Sequence, residues 1–122
     1  MPSRPRRDDV DKHLPLKPLV FQVLLALAGG DRHGWALVRD IQARGGFAGV
    51  MPGNFYRTLR AMLADGLIAE ATDRPDIRED DERRKYFQLT PLGFAVAGAE
   101  ARRLESVLLE ARTKRLLPKP RS

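Results

Sequence analysis

Four stretches of the chain have apolar residues at the spacing of an α-helix. The first, Pro18–Ala28, breaks its apolar run only at Gln22, so the helix that it predicts is apolar on every side. Gly29 and Gly30 follow as a C-terminal stop. A helix of this kind must be covered all round. Because the core of a small domain covers only one face, we expect a partner subunit to cover another, Leu24 included.

The second and third stretches predict helices with one buried face. Asp31 is expected to cap the second helix, in which Leu37, Val38 and Ile41 share a face. The third helix is expected to begin at Pro52. Its predicted buried stripe consists of Phe55, Leu59, Met62 and Leu63. At about 100° per residue, its open face consists of Asn54, Arg57, Arg60, Ala61 and Ala64.

A β-hairpin and a long helix are predicted to follow. Leu67–Thr72 and Lys85–Leu89 are strand candidates, and the highly charged segment between them is expected to be a loop. Thr90 followed by Pro91 is typical of a helix start. The apolar spacing beyond that start continues to about Leu116.

The order of these elements is helix, helix, helix, strand, loop, strand, long helix. Three helices followed by a two-stranded hairpin form the winged helix-turn-helix arrangement, whose third helix enters the major groove of DNA. We therefore expect a mainly helical fold with a small β-hairpin and one long C-terminal dimerisation helix. The expected parts are a flexible basic arm at 1–13, a winged-helix domain at 14–90, the dimerisation helix at 91–117 and a tail at 118–122.

Composition narrows the classes of protein that fit. The chain has 122 residues, of which 43% are hydrophobic and 31% charged, as expected for one globular domain. The absence of cysteine excludes a disulfide scaffold, a zinc finger and a thiol nucleophile. Pro18–Ala28 is about half of the roughly 20 residues that a membrane span needs. The first residues lack the apolar segment of a secretion signal. We expect a cytoplasmic protein without a membrane partner.

A formal charge of +6 favours a polyanionic partner. On the third helix, Arg57 and Arg60 share the open face, where an arginine can read guanine or pair with a phosphate, and Asn54 can contact a base or cap the helix. The hydroxyl of Tyr56 can reach a phosphate while its ring packs at the edge of the stripe. A solvated face with two arginines, and a purely structural tyrosine, are the alternatives.

The hairpin loop is not a basic patch as a whole, because five acidic residues oppose its basic ones. DNA contact there would come from Arg83, Arg84 or Lys85. A solvated charge run is the alternative. The two chain ends are also basic, and they would add nonspecific attraction to phosphates or act as solubility tails.

Catalytic and metal-binding chemistry is not supported. His33 has only His13 as a companion, so neither a metal site nor a catalytic triad can be assembled, and a packing or capping role is expected for it. Glycine-rich phosphate motifs are absent too. We expect no enzyme activity, no metal and no cofactor.

The apolar first helix and the long last helix predict a dimer, with Leu104 and Leu108 beside Leu24 at its interface. If the two-fold axis encloses a pocket for a small aromatic effector, the candidate walls are Phe21, Phe94 and Val96. An ordinary dimer core explains the same residues.

Three motifs in order resemble those of PadR-type transcriptional regulators. Leu24–Leu27 followed by His33–Trp35 is similar to their opening. Gly53–Leu59 followed by Leu63–Ile68 resembles their recognition-helix signature, and Arg84–Gly93 resembles their second wing strand and last-helix start. The resemblance implies a homodimer whose first and last helices pack across the two-fold axis, usually a repressor. The single C-terminal helix is similar to the short subfamily.

The leading hypothesis is a dimeric, sequence-specific DNA-binding regulator that acts on an inverted repeat. A winged-helix module that binds other proteins and not DNA is the alternative. A ligand-binding scaffold centred on the dimer cavity is a third possibility.

Overall fold

The structure, a computed structural model, describes residues 5–71 and 85–118. Five helices and three strands are formed by these residues. In chain order they are α1 (Arg7–Asp11), α2 (Pro18–Ala28), β1 (Arg32–His33), α3 (Gly34–Gln42), α4 (Pro52–Ala64), β2 (Ile68–Glu70), β3 (Tyr86–Leu89) and α5 (Pro91–Thr113). The architecture is mainly helical with a small antiparallel sheet and a long last helix, which confirms the predicted fold class.

The sheet has three strands in the order β1-β3-β2, rather than the two that were expected. Ile68 pairs with Leu89 across β2 and β3, while Arg32 pairs with Phe87 across β1 and β3. The missed strand β1 is only two residues long. Two residues are too few to show the alternation of apolar and polar positions that signals a strand.

One core joins α2, α3, α4, the sheet and the first part of α5. The predicted stripe of α4 is confirmed, because Phe55, Leu59 and Met62 are at most 1% exposed and Leu63 is partly buried against the same core. The predicted inner face of α3 is buried too. Leu24 is fully buried within the same core, so its expected place in a dimer interface is wrong. The large apolar side chain that α2 exposes is instead Leu25.

The start of α5 is fixed by a predicted cap and an unforeseen close contact. Thr90 Oγ1 accepts a hydrogen bond from the backbone N–H of Gly93 at 3.0 Å, which confirms the cap. A Cβ atom at Gly93 would lie 1.9 Å from the backbone oxygen of Leu67, so only glycine fits there. The helix ends at Thr113, slightly before the expected end.

Two predictions about the N-terminal third are wrong. Residues 5–13 are not simply an arm, because α1 forms there and packs against α5 through Val10, which is 8% exposed. The N-cap position of α3 is His33, since β1 takes the place that an Asp31 cap would need.

Candidate nucleic-acid interface

The open face of α4 is polar and basic, as predicted. Asn54, Arg57 and Arg60 are exposed, and α4 itself contains no carboxylate. Arg57 Nη1 donates a hydrogen bond to Asn54 Oδ1 at 3.2 Å, so these two side chains lie side by side near the helix start. The hydroxyl of Thr58 donates to the backbone oxygen of Asn54 at 3.0 Å. A cationic, hydrogen-bonding helix face of this kind can contact base edges and phosphates.

Tyr56 lies at the edge of the buried stripe, as predicted. It is half-buried, and its ring meets the fully buried ring of Phe55 edge-on, with centroids 5.6 Å apart. The aromatic pair holds the Tyr56 ring beside α4.

One flank of α4 faces the base of the wing, which is the hairpin that β2 and β3 form. A cleft of about 180 Å³ separates them, lined by Tyr56, Leu59, Arg60, Leu63, Glu70, Lys85 and Phe87. The Lys85 Nζ atom lies 3.3 Å from Glu70 Oε1, and the Lys85 side chain is only 21% exposed. The charge of Lys85 is therefore compensated by a neighbouring strand. The other two predicted wing contacts, Arg83 and Arg84, lie outside the described residues.

The opposite flank of α4 faces residues 12–17. A cleft of about 330 Å³ lies between them, lined by Lys12, His13, Pro15, Leu16, Lys17, Val20, Thr58, Ala61, Met62, Asp65 and Leu67. Lys12 and Lys17 are both exposed. Sequence reasoning gave these lysines only a nonspecific role because it placed them in or next to a loose arm. The N-terminal excess of basic residues was the signal that could have drawn attention to them.

His33 packs, as its sequence context indicated. Its ring centroid lies 3.6 Å from that of Tyr86 and 5.9 Å from that of Trp35. The backbone N–H of Gly34 donates to the Lys85 oxygen at 3.0 Å. These contacts tie the start of α3 to the wing.

The predicted interface and pocket residues on α5 separate into two groups. Leu108 is 44% exposed and Leu104 is half-buried, so both remain predicted interface positions. Phe94 is 68% exposed and lines a groove of about 490 Å³ between α1 and α5. Val96 is fully buried in the core and cannot form the wall of a ligand pocket, so that prediction is wrong.

The other predicted pocket residue, Phe21, is half-buried. Within 5–71 and 85–118, no three histidine or acidic side chains cluster closely enough to hold a metal ion. None of the helices described is long and apolar enough to cross a membrane.

Known structures share this fold. A PadR-like transcriptional regulator from Bacillus cereus matches with a TM-score of 0.66 and 20% sequence identity, over 83% of this chain and 93% of that one. A PadR family regulator from Clostridium difficile matches with a TM-score of 0.59 and 22% identity, over 77% and 97%. The adhesin competence repressor of Streptococcus pyogenes matches with a TM-score of 0.56 and 15% identity, over 88% and 72%.

The comparison with curated proteins finds no match to the sequence. Residues 23–99, however, match the PadR-like family of transcriptional regulators. The match spans α2 to the first half of α5, and thus includes the helix-turn-helix, the wing strands and the start of the last helix. The chain therefore belongs to the PadR-like family of transcriptional regulators, which are DNA-binding winged helix-turn-helix proteins and not enzymes.

Proposed function

We propose that the chain binds DNA as a homodimer, with α4 of each subunit in the major groove of one half of an inverted repeat. The observation that supports this most is the exposed, carboxylate-free face of α4, with Asn54, Arg57 and Arg60. An arginine can donate two hydrogen bonds to guanine, and an asparagine can pair in the same way with adenine. We propose that these three residues recognise the base sequence of the DNA.

The proposed dimer follows from the far end of α5. Val107 and Leu108 are 49% and 44% exposed, and they share a face of α5 with the half-buried Leu104. Adjacent exposed apolar side chains on one helix are typical of a surface that a partner covers. A two-fold dimer would present its two α4 helices about 34 Å apart, which is one turn of DNA. The half-sites should therefore be one turn, or a multiple of one, apart.

We further propose that the regulator is a repressor located in the cytoplasm, where its DNA target lies. A dimer that occupies an operator excludes other proteins from the same groove. The fold is shared with a protein that is named as a repressor, the one from Streptococcus pyogenes.

The test is binding to the DNA upstream of the chain's own gene, measured by fluorescence anisotropy at several salt concentrations. We expect a steep fall in affinity with salt for the wild type. The double variant Arg57→Ala with Arg60→Ala should lose about 2–6 kcal/mol at each half-site, because each base-reading arginine contributes roughly 1–3 kcal/mol.

The matched control removes two exposed positive charges elsewhere, by Arg102→Ala with Lys114→Ala on α5. It should keep the sequence preference. If the Arg57 and Arg60 double variant binds as tightly and as selectively as the control, α4 is not the recognition helix. If the wild type dimerises but does not bind DNA at low salt, the chain is a protein-binding module.

A further inference from the structure

We propose that residues 12–17 form a second phosphate-binding site, on the flank of α4 opposite the wing, with Lys12 and Lys17 as its cations. The proposal rests on the proposed function, since it presumes that α4 lies in a DNA groove. It adds a contact that neither the helix-turn-helix nor the wing supplies.

The segment is held in place at both ends. Before it, the Val10 side chain of α1 is buried against the core and α1 packs on α5. After it, the backbone N–H of Leu16 donates to Glu100 Oε2 at 3.2 Å, and Glu100 on α5 is only 2% exposed. α2 then begins at Pro18. Because both ends are fixed, the backbone of the segment holds Lys12 and Lys17 beside α4.

The two clefts beside residues 12–17 are lined by different charged residues of the N-terminal region. Arg7 and Asp11 line the groove toward α5 and lie 3.9 Å apart as an ion pair. Lys12 and Lys17 line the cleft toward α4. Asp11, the acidic residue next to Lys12, therefore lies on the side that faces α5, and both lysines lie on the side that faces α4.

The lysines of this flank are uncompensated. Neither ammonium group forms an ion pair with a residue of the described ranges, although Asp65 lines the same cleft. On the wing flank, by contrast, Lys85 is held by Glu70. A phosphate that approaches Lys12 or Lys17 does not have to break an existing ion pair, so its binding keeps more of the Coulomb energy.

The shape of DNA explains why both flanks matter. The major groove is about 12 Å wide and a helix with its side chains is about 10–12 Å across, so a helix in the groove lies close to both walls. Each wall is a row of phosphates. When α4 is in the groove, the wing lies toward one row, and residues 12–17 lie toward the other.

The test compares salt dependence in the full chain. Lys12→Ala with Lys17→Ala removes two lysines from each subunit and should lower the slope of log affinity against log salt by about 3.6 for the dimer, since each phosphate contact contributes about 0.9. Affinity should fall roughly tenfold or more at about 100 mM salt, and by the same factor for the operator and for a scrambled duplex. Restoring the charge with Lys12→Arg and Lys17→Arg should restore the slope.

The control is Arg7→Ala with Lys114→Ala, which removes two exposed charges, one of them from α1, just before the segment, on the side that faces α5. Its slope should stay close to that of the wild type. If the lysine pair and the control change the slope equally, net charge alone acts and the site does not exist.

The two proposals fail in different ways. A wild type without salt-dependent DNA binding would overturn the proposed function. Wild-type binding that depends on Arg57 and Arg60 but keeps its slope in the Lys12 and Lys17 variant would overturn only the second site. Melting of each variant, followed by circular dichroism, tests whether a change in slope comes from unfolding.

Discussion

The two halves of α5 show the same apolar spacing and have different surroundings. In the first half, Gly93, Val96 and Glu100 are buried against the rest of the chain. In the second half, Val107 and Leu108 continue the pattern, yet both are more than 40% exposed. The first half completes the core of its own subunit. The second half has an apolar face that this core does not reach.

The difference teaches what a hydrophobic pattern can and cannot establish. Spacing identifies which face of a helix avoids water. It does not show whether the residues that bury this face belong to the same chain or to another one. We therefore expect substitutions in the first half of α5 to change folding stability, and substitutions in the second half to change self-association.

The largest expected effect is on association. Leu108→Glu should weaken the dimer by about 100-fold or more, or about 3 kcal/mol, because a carboxylate would be buried without a partner in each subunit. The monomer should stay folded, since Leu108 is 44% exposed in the single chain. Sedimentation equilibrium over a range of concentrations measures the dissociation constant.

The matched control is Leu109→Glu, the same substitution on the next residue, which lies about 100° away around the helix. Leu109 is 65% exposed. A dimer that tolerates a charge at Leu108 and dissociates when the charge is at Leu109 would place the interface on the wrong face. Equal tolerance at both positions would remove the second half of α5 from the interface.

The next effect concerns folding stability in the first half of α5. Gly93→Ala should destabilise the chain by about 1–3 kcal/mol, because its Cβ would overlap the backbone oxygen of Leu67 and the start of the helix would have to shift. Urea unfolding followed by circular dichroism, at a fixed protein concentration, measures this.

Gly98→Ala, five residues further along the same helix, is the control. Its Cβ would meet only the flexible end of Arg102, at 3.4 Å. Alanine is favoured over glycine within a helix by roughly 0.5–1 kcal/mol, so this variant should be neutral or slightly more stable. If both variants changed stability alike, the close approach at Gly93 would not be what fixes the helix.

The sequence predicted best where one element contains its own signal. The stripe of α4 and the cap at Thr90 follow from local spacing and local chemistry, and both are confirmed. The Gly93 contact could not be predicted, because it depends on how closely α5 approaches Leu67. Leu24 was misassigned because an all-round apolar helix does not reveal which side its own core covers.

The candidate site follows the same rule. Asn54, Arg57 and Arg60 were identified from the angular position of each residue on a single helix. The N-terminal lysines were not, because their place beside α4 depends on α1 packing on α5 and on a hydrogen bond between Leu16 and Glu100, residues far apart in the chain. A polar, proline-containing segment gives no local sign of such an anchor.

The smallest expected effect concerns the hydrogen bond between Leu16 and Glu100. The pKa of Glu100 lies below its usual value, mainly because the Arg103 side chain donates hydrogen bonds to the carboxylate. The backbone N–H of Leu16 adds a further hydrogen bond that lowers this pKa, whereas desolvation raises it. A carboxylate whose pKa is lowered by folding stabilises the fold while it is ionised in both states. It loses that contribution as the pH falls through the folded-state pKa.

Glu100→Gln should therefore cost about 1 kcal/mol of unfolding free energy at pH 7, a modest value because the Arg103 side chain is 39% exposed. The deficit relative to the wild type should persist at pH 6 and shrink below about pH 4.5, where the carboxyl of the unfolded wild-type chain begins to take up protons. Urea unfolding at several pH values measures this deficit.

Glu105→Gln, which removes an exposed carboxylate from the same helix, is the control for the loss of one charge. A Glu100→Gln deficit that stays constant down to pH 3 would mean that the amide's shape and packing, and not the ionised carboxylate, account for the loss. The anchor of residues 12–17 would then not depend on the charge of Glu100.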